Sequence, residues 1–323
     1  MKVALLFSPQ GSQSVGMGGE LAERWPAARA VYETADATLG WSVSARCFEG
    51  PEEALNETRS TQPCLLATEI AALAALRTEL PDLAPALVAG HSVGEYAALV
   101  AANVLDLPDA LRLVARRAEL MAAAASGGMA AVIGLDRETV ATVLAQVAPP
   151  DELTVANDNA PGQVVISGRH EALAAAAEPL REAGARRLVP LKVSGAFHSP
   201  AMRGAGEELR AAFDGVTWHE PTIPVVSNVT AQPVDDAAGV RKLLARQVSS
   251  PVEWVASVRA MAARGVDTFV ECGPGTALTG MVRRIVPEAR LANVSDAATL
   301  AAAVELLRQQ ETAPTEARME VGA

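Results

Sequence analysis

Ala86-Leu87-Val88-Ala89-Gly90-His91-Ser92-Val93-Gly94-Glu95-Tyr96 is the stretch from which the rest of the chain is read. Ala86 to Ala89 is a short apolar run of the kind that forms a buried strand, and Glu95 to Val104 carries helical periodicity. Between them Gly90 to Gly94 fits G-x-S-x-G in the context that motif needs, strand before and helix after. The glycines permit a tight turn that lifts the Ser92 hydroxyl above the end of a sheet. Free N–H groups at the following helix N-terminus favour an oxyanion there. Ser92 is therefore the candidate nucleophile.

Reading outward, Lys2 to Phe7 is a second buried-strand pattern, followed by a Pro/Gly/Ser/Gln turn from Ser8 to Gly19. Helical periodicity runs over Glu20–Leu39 and over Thr61–Leu80, the latter stopped by Pro81. Asp109–Ala125 reads as another long helix, capped by Asp106 or by the turn at Pro108. Continuously apolar strands alternating with helices predict a parallel sheet covered on both faces.

The order changes at Ser126-Gly127-Gly128. Strands are expected at Met129–Gly134, Leu153–Asn157, Gln163–Ser167 and Arg186–Leu191, and helices at Arg137–Val147 and Glu171–Ala183. That β-α-β-β-α-β order is ferredoxin-like. Beyond it, strands are expected at Pro224–Ser227 and Thr268–Glu271, with helices at Met202–Ala212, Val252–Ala263 and Thr276–Val286. The expected division is a large α/β unit from 1–126 and 194–310, an inserted small unit from 127–193, and a tail at 311–323.

Composition narrows the function classes. In 323 residues, 27 Lys and Arg against 38 Asp and Glu leave a net charge of −11, without the basic footprint of a nucleic-acid binder. Half the chain is hydrophobic but only 3% is aromatic, so aliphatic residues and alanine must fill the core. No apolar run approaches the roughly 20 residues of a transmembrane helix. The apolar start ends at Ser8 with no signal-type cleavage site in reach. Three widely spaced cysteines (Cys47, Cys64, Cys272) suit reduced thiols in a cytoplasmic protein. With four histidines they argue against structural zinc. No coiled-coil repeat or association stripe argues for more than a monomer.

A serine nucleophile needs a base. His91 adjoins Ser92 across a sharp turn and should project elsewhere. His170 lies at a polar helix start, and His219 sits between Trp218 and Glu220 before a proline; both read as exposed or structural. His198, in Val193-Ser194-Gly195-Ala196-Phe197-His198-Ser199-Pro200, leaves the last strand of the small unit at its junction with the large one. Sites often form at such junctions. By elimination His198 is the candidate base.

Taken together, Pro9-Gln10-Gly11-Ser12-Gln13, Gly90-His91-Ser92-Val93-Gly94-Glu95-Tyr96, Arg117, Gly195-Ala196-Phe197-His198 and Glu271-Cys272-Gly273-Pro274-Gly275 resemble malonyl-CoA:acyl carrier protein transacylases. The likeness extends to the discrete and modular acyltransferases of polyketide synthases, and covers about Lys2 to Leu307. It implies an α/β-hydrolase-like core with a ferredoxin-like insert. It also implies that Ser92 takes malonyl from coenzyme A and that His198 moves the proton. A backbone carbonyl near Gln247 would orient the histidine, and the N–H groups of Gln10 and Val93 would form the oxyanion hole. Arg117 would hold the malonyl carboxylate by paired hydrogen bonds. Arg116, about 100° away round the helix, should not share that role. Phe197 would leave no room for a methyl branch, favouring malonyl over methylmalonyl. Position 9 departs from the family pattern, carrying proline where glycine is common, which alters the backbone before Gln10.

The resemblance further implies an acyl carrier protein as partner, with coenzyme A and phosphopantetheine as substrates and no bound cofactor or metal. Arg186, Arg187 and Lys192 are candidates for docking an acidic carrier. Three other readings share the motif: a serine hydrolase of acyl thioesters, a transferase moving a larger acyl group between carrier proteins, and a catalytically silent docking module. Arg117 and Phe197 favour carboxylated acyl transfer over hydrolysis.

Overall fold

The computed structural model describes residues 2–124 and 126–309. Among these residues ten strands form two sheets. β1 (Val3–Phe7), β2 (Leu87–Gly90), β7 (Val225–Val226), β8 (Pro233–Val234), β9 (Thr268–Cys272) and β10 (Arg290–Val294) make one sheet, in the order β10-β9-β1-β2-β7-β8. All neighbours in it are parallel except β7 and β8. The chain thus has a mixed α/β fold around a mostly parallel sheet. β1 and β9 are buried at every residue, as expected of strands covered on both faces.

Register decides what this sheet can build. Phe7 pairs with Gly90 on one side and with Cys272 on the other, so three central strands end level. The segments that follow them (Ser8–Gln13, His91–Val93 and Gly273–Gly275) therefore gather at one carboxyl edge, where ligands bind in open α/β sheets.

The second sheet is antiparallel: β3 (Gly128–Ile133), β4 (Leu153–Ala160), β5 (Gln163–Gly168) and β6 (Arg187–Pro190), in the order β4-β5-β3-β6. Helix Arg137–Val147 connects its first two strands; helices His170–Ala175 and Ala177–Glu182 precede its last. A separate apolar cluster including Val132, Val140, Leu144, Val164, Ile166 and Leu180 fills it.

Several boundaries differ from expectation. The helix expected over Glu20–Leu39 is two, Gly19–Arg24 and Pro26–Leu39, because Trp25 is extended (φ −115°, ψ 112°); a residue before proline is pushed out of the helical region. The helix expected from Thr61 starts at Thr58 and runs to Glu79 with Pro63 inside it. The helix expected over Glu171–Ala183 is interrupted at Ala176. Only Val225–Val226 of the expected Pro224–Ser227 strand pairs. β8, β10 and the helices Val43–Phe48, Glu52–Leu55, Ala237–Gln247 and Ala297–Arg308 lie beyond the elements expected. The tail expected at 311–323 lies outside the described residues. Cys47, Cys64 and Cys272 are unpaired and buried, and among the described residues no helix is long and apolar enough to cross a membrane.

Candidate active site

The turn after β2 is held by main-chain crowding. A Cβ on Gly90 would lie 1.9 Å from the Gly94 carbonyl oxygen, and one on Gly94 would lie 2.3 Å from that of Phe7. Only glycine lets the turn close against β1. Ser92 between them sits in the left-handed region at φ 54°, a strained position for a non-glycine residue, costing about 1–3 kcal/mol. Asn228, just beyond β7, offsets that cost by spanning the turn: its Nδ2 donates to the Gly90 carbonyl at 2.6 Å and its Oδ1 accepts from Ser92 N–H at 2.7 Å.

His198 is also left-handed (φ 55°), pinned by its N–H to the Val248 carbonyl at 3.0 Å. Its Nε2 lies 2.7 Å from Ser92 Oγ. Its Nδ1 lies 3.0 Å from the Gln247 carbonyl and 3.2 Å from that of Ser250. Carbonyls only accept, so Nδ1 carries the proton and Nε2 presents a lone pair to the hydroxyl. Gln247 ends helix Ala237–Gln247, where carbonyls lack a partner within the helix; that is why one is free for the imidazole. Burial pushes the His198 pKa down to about 3, and the Arg117 and His91 charges push the same way. The ring is a neutral acceptor across the physiological range.

Arg117, on helix Leu107–Ala123, is 1% exposed. Its Nη2 donates to Ser92 Oγ at 3.0 Å and to Gln247 Oε1 at 3.1 Å, and Nη1 donates to Gln62 Oε1 at 2.7 Å. Its Nε–H has no acceptor among the described residues. Arg116 points outward to Glu119 and Glu208, as the helix geometry predicted. A carboxylate carbon three bonds from Oγ, as in a malonyl ester, lies within about 4 Å of it, in reach of Nη2.

The Gln10 and Val93 main-chain N–H groups have no protein acceptor among the described residues. Val93 precedes helix Gly94–Ala101. Gln10 lies in a turn closed by Ser12 N–H to the Pro9 carbonyl at 3.2 Å, so proline at position 9 is accommodated. Ser8, ahead of that turn, is buried and donates to Glu271 Oε1 at 3.3 Å. Phe197 is buried in the main apolar cluster. His91 turns away from Ser92: its Nε2 meets Asn159 Oδ1 at 2.8 Å, and its ring packs on Trp254. His170 and His219 are exposed.

Four polar residues at the site carried no sequence signal of their own: Gln62, Asn228, Ser250 and Glu95. Gln62 and Asn228 are wholly buried, yet a lone Gln or Asn in a sequence says nothing of burial. Glu95 was quoted only as part of a motif. Its carboxylate accepts from Gln247 Nε2 at 2.6 Å, and burial pushes its pKa up to about 7.

A serine–imidazole pair beside a buried guanidinium, at the carboxyl edge of a parallel sheet, is an arrangement suited to acyl chemistry. Consistent with that, residues 4–321 match the acyl transferase domain family, and the chain belongs to it. It is 41% identical over 313 residues to the malonyl CoA-acyl carrier protein transacylase of Bacillus subtilis, covering 96% of this chain and 98% of that one. Among solved structures it is similar to an acyl carrier protein S-malonyltransferase from Vibrio cholerae (TM-score 0.90, 40% identity, 94% and 100% covered). It is equally similar to a malonyl-transacylase in complex with a type II polyketide synthase acyl-carrier protein (TM-score 0.91, 39% identity, 95% and 100% covered).

Proposed function

We infer that this chain transfers a malonyl group from malonyl-CoA, through an ester on Ser92, to the phosphopantetheine thiol of an acyl carrier protein. The observation that carries the reading is one hydroxyl with two buried partners: Ser92 Oγ is 2.7 Å from His198 Nε2 and 3.0 Å from Arg117 Nη2. The first partner serves any serine acyl chemistry; the second selects an acyl group with a free carboxylate.

In the first half-reaction Oγ attacks the thioester carbon while His198 Nε2 takes the hydroxyl proton. The Gln10 and Val93 N–H groups receive the oxyanion. The C–S bond breaks, and the imidazolium returns its proton to the departing coenzyme A sulfur. In the second half His198 takes the proton of the carrier thiol, whose sulfur attacks the Ser92 ester. Oγ leaves and regains the proton. Gln247 and Ser250 carbonyls hold Nδ1–H throughout, so no carboxylate is needed to fix the tautomer. Phe197 beside the base excludes a branched acyl carbon. The reaction needs no bound cofactor or metal. These roles agree with the relatives being malonyl transacylases, and the relative solved with its carrier supports a carrier protein as partner.

The finer architecture belongs to the same proposal. An α/β-hydrolase-like core from 1–126 and 194–310, with a ferredoxin-like insert at 127–193, is supported by the two sheets and by the small sheet's own core. For docking, Lys192 is the strongest of the three basic candidates, lining a groove of about 590 Å³ with Arg59 and Ser194. Arg186 and Arg187 are exposed at the opposite end of β6. Cytoplasmic location and a monomeric state complete the proposal.

Intact-protein mass spectrometry after mixing with malonyl-CoA tests the reading. The expected result is a malonyl adduct on Ser92 that moves to added carrier protein. Rapid loss of the adduct to water would make the protein a hydrolase. An adduct only from a loaded carrier would make it a transferase between carriers, and no adduct from any donor would make it a silent module.

A further inference from the structure

We propose that Glu95 is a positioning residue for substrate selection: by fixing the side-chain amide of Gln247 it aims Arg117 at the acyl carboxylate. This rests on the malonyl-transfer reading above and adds a residue to it.

The argument begins with the amide itself, whose nitrogen and oxygen ends are interchangeable in shape but not in hydrogen bonding. Gln247 Nε2 faces Glu95 Oε2 at 2.6 Å and the Ser92 carbonyl at 2.9 Å. A carbonyl offers no proton, so the donor end must lie there, and the contact to Glu95 is the shorter of the two. The oxygen end is thereby left facing Arg117 Nη2 at 3.1 Å. The reversed amide would set oxygen against two oxygens and an NH2 against a guanidinium. Glu95 and the Ser92 carbonyl therefore together hold the oxygen end of Gln247 toward the arginine, Glu95 by the shorter contact and without a hydrogen bond of its own to Arg117. It is well placed to do so. It lies in the first turn of the helix after Ser92, is 3% exposed, and also accepts from Asn228 N–H at 3.4 Å.

Without that anchor, the amide nitrogen keeps only the longer contact to the Ser92 carbonyl, and the Gln247 side chain is less firmly placed. Arg117 Nη2 then loses a fixed acceptor, and its direction toward the substrate spreads. The His198 contact is not lost, because it uses the main-chain carbonyl of Gln247 rather than its side chain. Removing Glu95 should thus impair malonyl selection more than serine acylation as such. A purely structural residue would impair both alike.

The test measures single-turnover acylation of Ser92 by malonyl-CoA and by acetyl-CoA in the full-length enzyme, with Arg117→Ala as reference. In Glu95→Ala the malonyl-to-acetyl rate ratio should fall about tenfold or more, the scale of a misplaced substrate-binding group. Glu95→Gln keeps an acceptor oxygen and should restore the ratio to within about threefold of the wild type. A ratio unchanged in Glu95→Ala, with both rates falling together, overturns the proposal. So does a Glu95→Gln variant as poorly selective as Glu95→Ala. If Glu95→Ala does not fold, Gln247→Leu removes the amide but keeps the carbonyl to His198, and retained selectivity there overturns the proposal equally. A ratio unchanged in Arg117→Ala would instead remove the carboxylate reading itself.

Discussion

The two sheets of this protein bury different things. Around the parallel sheet lie Gln62, Glu95, Arg117, His198, Asn228 and Gln247, all polar and at most 4% exposed. Each is tied to another of them or to Ser92. The antiparallel sheet has an apolar interior and, among the described residues, meets the elbow by one side-chain hydrogen bond, between Asn159 and His91, helped by a bridge between Asn157 and Val252. Parallel strands that end level bring several loops to one edge, while a compact antiparallel sheet offers a flank. Chemistry therefore concentrates on the first, and the second braces the turn that carries it.

That contrast can be broken in steps, beginning with the base. His198→Ala should lower malonylation of Ser92 by about 10²–10⁴-fold, the range for loss of a general base, read as the rate of adduct formation. Arg117→Ala comes next. Losing hydrogen bonds to a charged group costs about 1.5–3 kcal/mol, roughly 10–150-fold, for malonyl-CoA and much less for acetyl-CoA. The same variant has a pH signature. The Arg117 charge helps hold the His198 pKa down near 3, so its removal should move the acidic limb of the acylation rate upward, toward the ordinary histidine value of about 6.5. A limb that stays put would mean that the guanidinium does not tune the base.

Smaller effects follow away from the proton path. In competition between malonyl-CoA and methylmalonyl-CoA, Phe197→Ser should shift the preference toward methylmalonyl by about tenfold, the lower end of what one methyl group contributes. An unshifted preference would make the ring packing alone. Smallest for catalysis is Asn159→Ala. It should cost about 1–2 kcal/mol of stability by urea unfolding, since it strands a buried histidine, with kcat nearly unchanged. A loss of activity as large as that of His198→Ala would erase the distinction between the two sheets.

Much of the fold was legible because strong local signals carried it. Gly90 and Gly94 bracket the elbow for a steric reason, and the helix Arg137–Val147 begins after Asp136, whose side chain caps it. His198 emerged by elimination among four histidines, and the structure places it beside Ser92. Other features depended on distant partners. Gln62 and Arg117 are 55 residues apart, and Glu95 and Gln247 are 152 apart, so nothing near either glutamine announces its task. The edge strand β10 was missed because Arg290-Leu291-Ala292-Asn293-Val294 lacks a sustained apolar run and is only partly buried. The break at Trp25 was readable from Pro26, but periodicity across it masked the stop.

The level endings of β1, β2 and β9 set what kind of change the molecule can absorb. Exchanging one aliphatic side chain for another in these strands alters packing but leaves the backbone count intact. Adding or deleting a single residue in β1 moves Gln10 along the strand by about 3.3 Å, more than a hydrogen bond's length, and turns every later side chain to the opposite face. Drift in composition is thus tolerable at the heart of this enzyme, whereas drift in length is not.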